Sequence, residues 1–224
     1  VHPLASSAVT YIAQRAECMM ALFFLAALHA ATVYMRGTTS PWVLVAVALF
    51  ASASAATKEV AVALPLVVLA YDRTFVSGTF RKAWVAHAPV HMATLASWVV
   101  LGAVFGFSEA FVTHKYESSL PAPLLYFVSQ PRVLLHYLYL VLHPADLSWD
   151  YDWAVAASVA DEWLPLVAVS AFGIASIVLF FRGWRVGFAG VGFFLLLAPS
   201  SSFKPTLDVI AEHRMYLPLI LCVA

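Results

Sequence analysis

The sequence predicts an all-α membrane protein, a bundle of hydrophobic helices that crosses a bilayer several times. Of its 224 residues, 63% are hydrophobic and 11% are charged, whereas ordinary soluble domains carry roughly 25% charged residues. Residues 21–28, with the sequence ALFFLAAL, lack the alternation in polarity expected of a membrane barrel strand. Four stretches without Asp, Glu, Lys or Arg approach the roughly 20 residues that cross a hydrocarbon core as a helix; they are residues 18–35, 84–108, 163–181 and 186–203.

Apolar runs and the polar turns between them predict the helices in order. The first helix covers residues 16–35 and ends at a polar turn, residues 36–41. Runs 42–56 and 60–71 are short for spanning, so they form either two short tilted helices or one helix that Lys58-Glu59 breaks. The later elements are helix 84–107, a mostly apolar run 121–144 interrupted by Gln130-Pro131-Arg132, a polar loop 145–162, helix 163–181, a turn 182–185, a further helix, a loop 199–214 and a last apolar run 215–224.

The charges of the loops predict an orientation, because short cytoplasmic loops are enriched in Lys and Arg. Arg36, residues 72–82 and the turn 182–185 together hold six basic residues and one acidic residue, while the remaining chain holds six basic and eleven acidic residues. We therefore expect the first group in the cytoplasm and the other loops on the extracytoplasmic side. If residues 121–144 crossed the membrane fully, the basic turn at 182–185 would lie on the extracytoplasmic side. Residues 121–144 are therefore expected to be interfacial or re-entrant.

Composition also argues against several classes of protein. The net charge of zero gives no basic surface for nucleic acid. Cys18 and Cys222 form neither a disulfide framework nor a metal-ligand spacing. His87 and His91 are spaced to share a helix face, but without an acidic third ligand near them in the sequence they do not predict a zinc site.

Because the chain opens at Val1 without Met and stops inside an apolar run, we expect residues 1–224 to be one transmembrane domain, an internal fragment of a longer protein.

Two charged clusters lie next to the first predicted helices. Charges near membrane depth are expensive and usually face a partner or a cavity. Arg15 is suited to grip a phosphate with its planar guanidinium, or it extends to the interface with Glu17 as its neighbour. Lys58 and Glu59 interrupt two apolar runs, which indicates either a ligand site or a short solvated loop.

Two further clusters lie in the second half of the chain. Asp150, Tyr151 and Asp152 combine carboxylates with aromatic neighbours, a pattern suited to sugar hydroxyls or a divalent cation but also common at membrane interfaces. The segment from Glu212 to Tyr216 precedes the last apolar run. There, His213 and Arg214 are suited to neutralise a phosphate while Glu212 orients them, or the three charges simply anchor a helix start.

Together the four clusters resemble the membrane portion of the tetratricopeptide-repeat-linked glycosyltransferases, relatives of the transmembrane O-mannosyltransferases of the GT-C class. The resemblance covers nearly the whole chain. It rests on four phrases in the expected order: His2 to Arg15 (HPLASSAVTYIAQR); Thr57-Lys-Glu59 with Leu64-Pro65 and Tyr71-Asp72; Leu142-His-Pro144 through Leu147-Ser148 to Asp150-Tyr151; and Ala211 to Leu217-Pro218 (AEHRMYLP).

The resemblance implies a multi-pass enzyme of the bacterial inner membrane or the endoplasmic reticulum. Such an enzyme transfers a sugar from a polyprenyl-phosphate donor to a protein or glycan hydroxyl on the extracytoplasmic or lumenal face. Arg15, Lys58, His213 and Arg214 would bind the donor phosphate. The residues that would orient these cations or bind sugar and acceptor are Glu17, Glu59, Asp150, Tyr151, Asp152, Glu212 and Tyr216. The catalytic base is unknown and is expected before Val1, with the first helix and loop. The helical repeats of such proteins are also absent from this chain.

Two other functions remain open at the level of sequence. A transporter or channel also places charges and proline-broken helices along a membrane path, but it would favour mid-helix charges and paired halves. A non-catalytic membrane scaffold would use small-residue faces such as residues 51–56 for helix contacts. A divalent cation is neither required nor excluded.

Overall fold

The computed structural model of the chain describes residues 2–111, 123–145, 147–148, 151–201 and 208–223. In these residues the regular structure is helical, without strands, and it contains ten α-helices. They are α1 (Ser6–Thr10), α2 (Arg15–Met35), α3 (Pro41–Thr57), α4 (Leu64–Tyr71), α5 (Phe80–Thr94), α6 (Ala96–Phe111), α7 (Pro123–Leu142), α8 (Trp163–Phe181), α9 (Arg185–Leu197) and α10 (Pro218–Val223).

Four helical stretches of the described chain are long and apolar enough to cross a membrane. The all-helical class predicted from composition is therefore confirmed, and the helices have the character of a membrane protein. The shorter apolar helices α3 and α9 fall below this length. The four stretches are Arg15–Met35, Glu59–Ser77, Phe80–Val104 and Val159–Phe181.

Helices α2 and α3 form a tightly packed hairpin. Gly37 occupies a positive φ of 113° in the connecting turn, and Pro41 begins α3 at a position where its missing N–H is not needed. The hydroxyl of Ser54 donates to the carbonyl of Met20 at 3.1 Å, which ties the far ends of the two helices together. Small buried side chains let the backbones approach closely; they are Ala27, Ala31, Ala51 and Ala55.

The run predicted at 60–71 belongs to a longer helix than the sequence indicated. Lys58 is extended (φ −159°, ψ 149°), so the chain breaks there into two separate helices. After the break, a 3₁₀ turn (Glu59–Ala63), α4 and a π-helical turn (Asp72–Ser77) join into a stretch of 19 residues. The prediction that this run is short was wrong, because the carboxylate of Asp72 is compensated by hydrogen bonds and does not end the helix.

The helix predicted at 84–107 is divided and starts earlier. Helix α5 begins at Phe80, where the hydroxyl of Thr79 caps it by accepting from the N–H of Lys82 at 3.3 Å. Within α5, His87 leaves the helical conformation (φ −126°, ψ 25°) two residues before Pro89. Proline has no N–H to donate and its ring clashes with the preceding turn, which accounts for the kink.

Helix α7 continues through the residues that were predicted to interrupt it. Its 20 residues include Gln130, Pro131 and Arg132. The amide nitrogen of Gln130 donates to the carbonyl of Tyr126 at 3.4 Å, and Arg132 pairs with Glu162 at 3.2 Å. The helix is therefore continuous through all three residues. Its relation to the membrane, interfacial or re-entrant, stays a prediction.

Two hydrophobic cores hold the bundle together. One packs α2, α3, α4 and parts of α9 around buried residues such as Phe24, Val47 and Leu64. The other packs the N-terminal segment against α7, α9 and residues 209–219, with Leu4, Tyr137 and Met215 fully or almost fully buried. This second core brings together segments that are far apart in the sequence and carry the predicted site residues.

Candidate functional site

An ion pair between Glu17 and Lys58 lies at the ends of the α2–α3 hairpin. Glu17 occupies the first turn of α2, and Lys58 follows the last residue of α3. The ammonium of Lys58 contacts Oε1 of Glu17, whose side chain is 3% exposed while that of Lys58 is 19% exposed. A carboxylate so buried needs a partner, and the hairpin supplies it.

His213 approaches the same carboxylate from the opposite end of the chain. Its Nε2 lies 4.0 Å from Oε1 of Glu17, and it belongs to the 3₁₀ turn Glu212–Met215. Burial, together with the positive charges of Lys58 and Arg214, lowers the pKa of His213 to about 4. Burial and the two cations therefore favour the neutral imidazole at physiological pH.

Backbone carbonyls hold Arg214 in place. Its guanidinium donates to the carbonyl of Asp208 at 2.7 Å and to that of Val209 at 3.2 Å. Its charge also acts on Glu17 and on the hydroxyl of Tyr137. These two bonds hold the guanidinium beside the backbone of Asp208 and Val209.

Glu212 forms a second buried carboxylate centre. The residue is 4% exposed, and its Oε1 accepts from the N–H of Ser148 at 2.8 Å and from the hydroxyl of Tyr151 at 2.5 Å. Burial and the adjacent Glu212 carboxylate raise the pKa of Tyr151, which keeps the phenol protonated as a donor. The ring of Tyr151 in turn packs edge to face against His136 and Trp153.

The N-terminal segment is fixed to the same region. His2 donates through Nε2 to the carbonyl of Val141 at 3.0 Å, while its Nδ1 accepts from the N–H of Leu4 at 3.2 Å. These two bonds define the tautomer with the proton on Nε2. The thiol of Cys18, next to Glu17, donates to the carbonyl of Ala8 at 3.2 Å.

The structure therefore joins most of the residues predicted for the site, though not all of them. Arg15 is exposed and lies two residues before Glu17 on α2, so the two side chains are on different sides of that helix. The expectation that Arg15 shares a phosphate site with Lys58 and Arg214 stays a prediction. Glu59 is exposed beside Lys58, and Asp150 lies outside the described residues. Glu17, Lys58, His213 and Arg214 form one centre, and Glu212 with Tyr151 forms another, which the Glu212–His213 peptide joins to the first. These six residues are called here the Glu17 cluster.

Two predicted residues lie at the edges of the Glu17 cluster. Tyr216 interacts with Cys18. Asp152 is exposed, with a positive φ of 45°, and lines an open cavity of about 460 Å³. The same cavity is lined by Arg132, whose guanidinium carbon is 5.3 Å from the ring centre of Trp153.

A second buried polar cluster was missed by the sequence reasoning. Asp72 is fully buried, and its Oδ2 receives Nδ1 of His87 at 2.8 Å and Nε2 of His91 at 2.9 Å, while Oδ1 accepts from the hydroxyl of Ser77 at 2.7 Å. The histidines thus do have an acidic partner, contrary to the expectation from sequence. The spacing of four residues between His87 and His91 was a visible signal in the sequence. Their shared carboxylate partner, Asp72, comes from the preceding helical segment.

Arg73 ties this second cluster to α8. Its guanidinium donates to the carbonyls of Phe180 at 2.6 Å and Phe181 at 2.8 Å, the last residues of the helix. Its central carbon lies 4.4 Å from the ring centre of Phe180. The guanidinium satisfies carbonyls that a helix end leaves without partners, so Arg73 has a structural role.

The part of the chain that the structure describes contains no group of three or more His, Cys, Asp or Glu side chains arranged to hold a metal ion. No known family model matches the chain, and neither the curated proteins nor the solved structures include a match to it.

Proposed function

We propose that this chain is the membrane portion of a glycosyltransferase of the GT-C type. It would transfer a sugar from a polyprenyl-phosphate donor to a hydroxyl of a protein or glycan acceptor. The Glu17 cluster would form the donor side of the site, on the extracytoplasmic or lumenal face of a multi-pass bundle. The grouping of basic residues in the loops supports that orientation.

The single observation that carries the proposal is the set of contacts among residues in, or directly beside, the four resembling sequence phrases. They are far apart along the chain, yet they meet through side chains. His2 of the first phrase binds the carbonyl of Val141, next to the third. Glu17, just after the first phrase, meets Lys58 of the second and His213 of the fourth. Packing alone does not require charged and hydrogen-bonding groups at these contacts, whereas a shared polar site does.

The cations of the Glu17 cluster suit the chemistry of the donor. When the bond between the anomeric carbon and the donor phosphate oxygen breaks, negative charge develops on the departing phosphate. Lys58 and Arg214 are held nearby by Glu17 and by backbone carbonyls, so they are oriented before the reaction begins. Fixed positive charge at a developing anion is a strong source of transition-state stabilisation.

The Glu212 centre suits the acceptor and sugar side. Tyr151 and the backbone of Ser148 hold Glu212 firmly, and the cavity with Asp152 and Trp153 lies beside Tyr151. Carboxylates accept hydrogen bonds from sugar hydroxyls. Glu17 and Glu212 are already engaged by Lys58 and by Tyr151. We therefore propose that a further carboxylate deprotonates the acceptor.

Sugar transfer in membranes tests the proposal directly. Membranes that contain the full-length protein receive a panel of radiolabelled polyprenyl-phosphate sugars, and transfer is compared between wild type, Lys58→Ala and Arg214→Ala. Lys82→Ala is the matched control, since Lys82 is exposed on α5 and belongs to neither cluster.

We expect the two cluster variants to lose most of the transfer at normal protein levels, while the Lys82→Ala protein keeps it. If the wild type consumes no donor of the panel, the glycosyltransferase proposal fails. If all three variants retain wild-type transfer, the assignment of the donor phosphate to the Glu17 cluster is wrong.

A further inference from the structure

The hydroxyl of Tyr137 on α7 is bonded to both backbone groups of Ala211. It donates to the carbonyl of Ala211 at 2.8 Å and accepts from the N–H of the same residue at 2.9 Å. Tyr137 is 0% exposed and Ala211 is 8% exposed, so water does not compete for these bonds. One side chain thereby fixes the backbone of a segment that lies 74 residues farther along the chain.

Ala211 lies within a loop that Arg214 closes. The guanidinium of Arg214 donates to the carbonyls of Asp208 and Val209, and its backbone N–H donates to the carbonyl of Ala211 at 3.2 Å. These bonds run between residues 208 and 214, so they define the shape of the loop but not its place in the bundle. The two bonds from Tyr137 connect the loop to α7.

The charge that this loop carries acts on the donor side of the proposed site. Arg214 acts electrostatically on the Glu17 carboxylate and on the hydroxyl of Tyr137. The side chain of Glu212 gives the loop a second tether, to Ser148 and Tyr151, but that tether acts through rotatable side-chain bonds. Tyr137 acts on the backbone itself, three residues before Arg214.

We propose that Tyr137 is a positioning residue for sugar transfer, which holds the backbone of Ala211 so that Arg214 is placed for the departing phosphate. The inference rests on the proposed function and adds to it the residue that orients one of its two cations. Tyr137 is fully buried, so it acts through Arg214 and not by contact with the donor.

The hydroxyl matters because the N–H of Ala211 depends on it. Without this acceptor, the N–H lies in an apolar interior without its partner, and the backbone shifts to relieve the cost. A displacement of about 1 Å is sufficient to slow a reaction by about 100-fold.

Two tyrosines of α7 provide a matched pair of variants. Tyr137→Phe removes the hydroxyl and keeps the ring that fills the core. Tyr126→Phe is the control, because Tyr126 is also fully buried and its hydroxyl donates to a backbone carbonyl, that of Ser200, at 2.9 Å. Both are made in the full-length protein in lipid nanodiscs, and thermal unfolding verifies that both are folded.

Transfer kinetics use the polyprenyl-phosphate sugar of the panel that the wild type consumes. We expect Tyr137→Phe to lower kcat by about 10- to 100-fold, while Tyr126→Phe stays close to the wild type. In an Arg214→Ala background, Tyr137→Phe should lower the residual transfer no further, because the residue through which it acts is gone. Equal kcat values for the two phenylalanine variants, or independent losses from Tyr137→Phe and Arg214→Ala, overturn the inference.

Hydrogen exchange measures the anchoring of the loop without requiring sugar transfer. In the ligand-free protein, the exchange of amides 209–216 should rise at least about tenfold in Tyr137→Phe and stay unchanged in Tyr126→Phe. Unchanged exchange in Tyr137→Phe overturns the inference even in a protein that transfers sugar. Faster exchange in a protein that transfers no sugar supports the anchoring by Tyr137 and rejects the proposed function alone.

Discussion

The hydroxyl of Tyr151 donates to Oε1 of Glu212 at 2.5 Å, across 61 residues of sequence. The bond joins the polar loop before α8 to the turn before α10. It matters because Glu212 is 4% exposed and would otherwise have only the N–H of Ser148 as a described partner on that oxygen. The hydrogen bond from Tyr151 thus offsets part of the free-energy cost of burying the Glu212 carboxylate.

Removing this hydroxyl is expected to destabilise the protein. Tyr151→Phe should lower the free energy of unfolding by about 1.5–3 kcal/mol, the contribution typical of a hydrogen bond to a charged group. Tyr139→Phe is the control, because Tyr139 is 51% exposed on α7. Thermal unfolding in detergent measures both variants. Equal unfolding temperatures for Tyr151→Phe and the wild type would show that the bond contributes nothing.

Stability should depend on pH through His213. Its pKa is about 4 in the folded chain, below the unperturbed value of about 6.5 expected when unfolded. Between these values the unfolded chain binds more protons, so stability is fully present above pH ~6.5 and falls as the pH drops toward 4.

His213→Gln should therefore flatten the unfolding temperature between pH ~6.5 and ~4, because the neutral amide does not titrate. His143→Gln, at an exposed position just after α7, serves as the control and should keep the wild-type slope. Thermal unfolding across this pH range measures the effect. A His213→Gln protein with an unchanged slope would assign the acid sensitivity to other groups.

The Asp72 cluster is expected to contribute to stability. Asp72→Asn removes the charge that receives His87, His91 and Ser77, and it leaves the buried His91 and the partly buried His87 with a poorer acceptor. We expect a loss of at least about 2 kcal/mol in the free energy of unfolding.

Chemical unfolding in a mixed detergent system measures this loss, with Glu59→Gln as an exposed carboxylate control. If Asp72→Asn unfolds like the control, the hydrogen bonds at Asp72 are not stabilising. Normal stability combined with lost sugar transfer would instead give the cluster a functional role.

Much of the candidate site was visible in the sequence because charges near membrane depth are rare and conspicuous. Lys58, Glu212, His213 and Arg214 stand out against their apolar neighbours, and each lies in or beside the Glu17 cluster. Arg15 stood out equally but is exposed on another face of α2. Sequence shows that a charge is near a helix end, but the direction of the side chain depends on how helices pack.

The missed partner of His87 and His91 shows the same limit. Asp72 was counted as a loop charge because a carboxylate usually ends an apolar run. In the fold it is fully buried, since the π-helical turn and the neighbouring α5 bring donors to both of its oxygens. Helix α7 likewise continues through Pro131, and the partner of Arg132, Glu162, comes from a segment 30 residues farther along the chain.

The sequence by itself determined that this protein is helical and has helices of membrane-spanning character. Composition and the lengths of apolar runs act locally, because each helix satisfies its own backbone hydrogen bonds in an apolar solvent. Only the tertiary structure decided which charges meet. Glu17 and Lys58 are 41 residues apart, and Glu17 and His213 are farther still. These contacts form because small residues let α2 and α3 pack closely and because the second core brings distant segments together. A local sequence pattern contains no information about such contacts between distant segments.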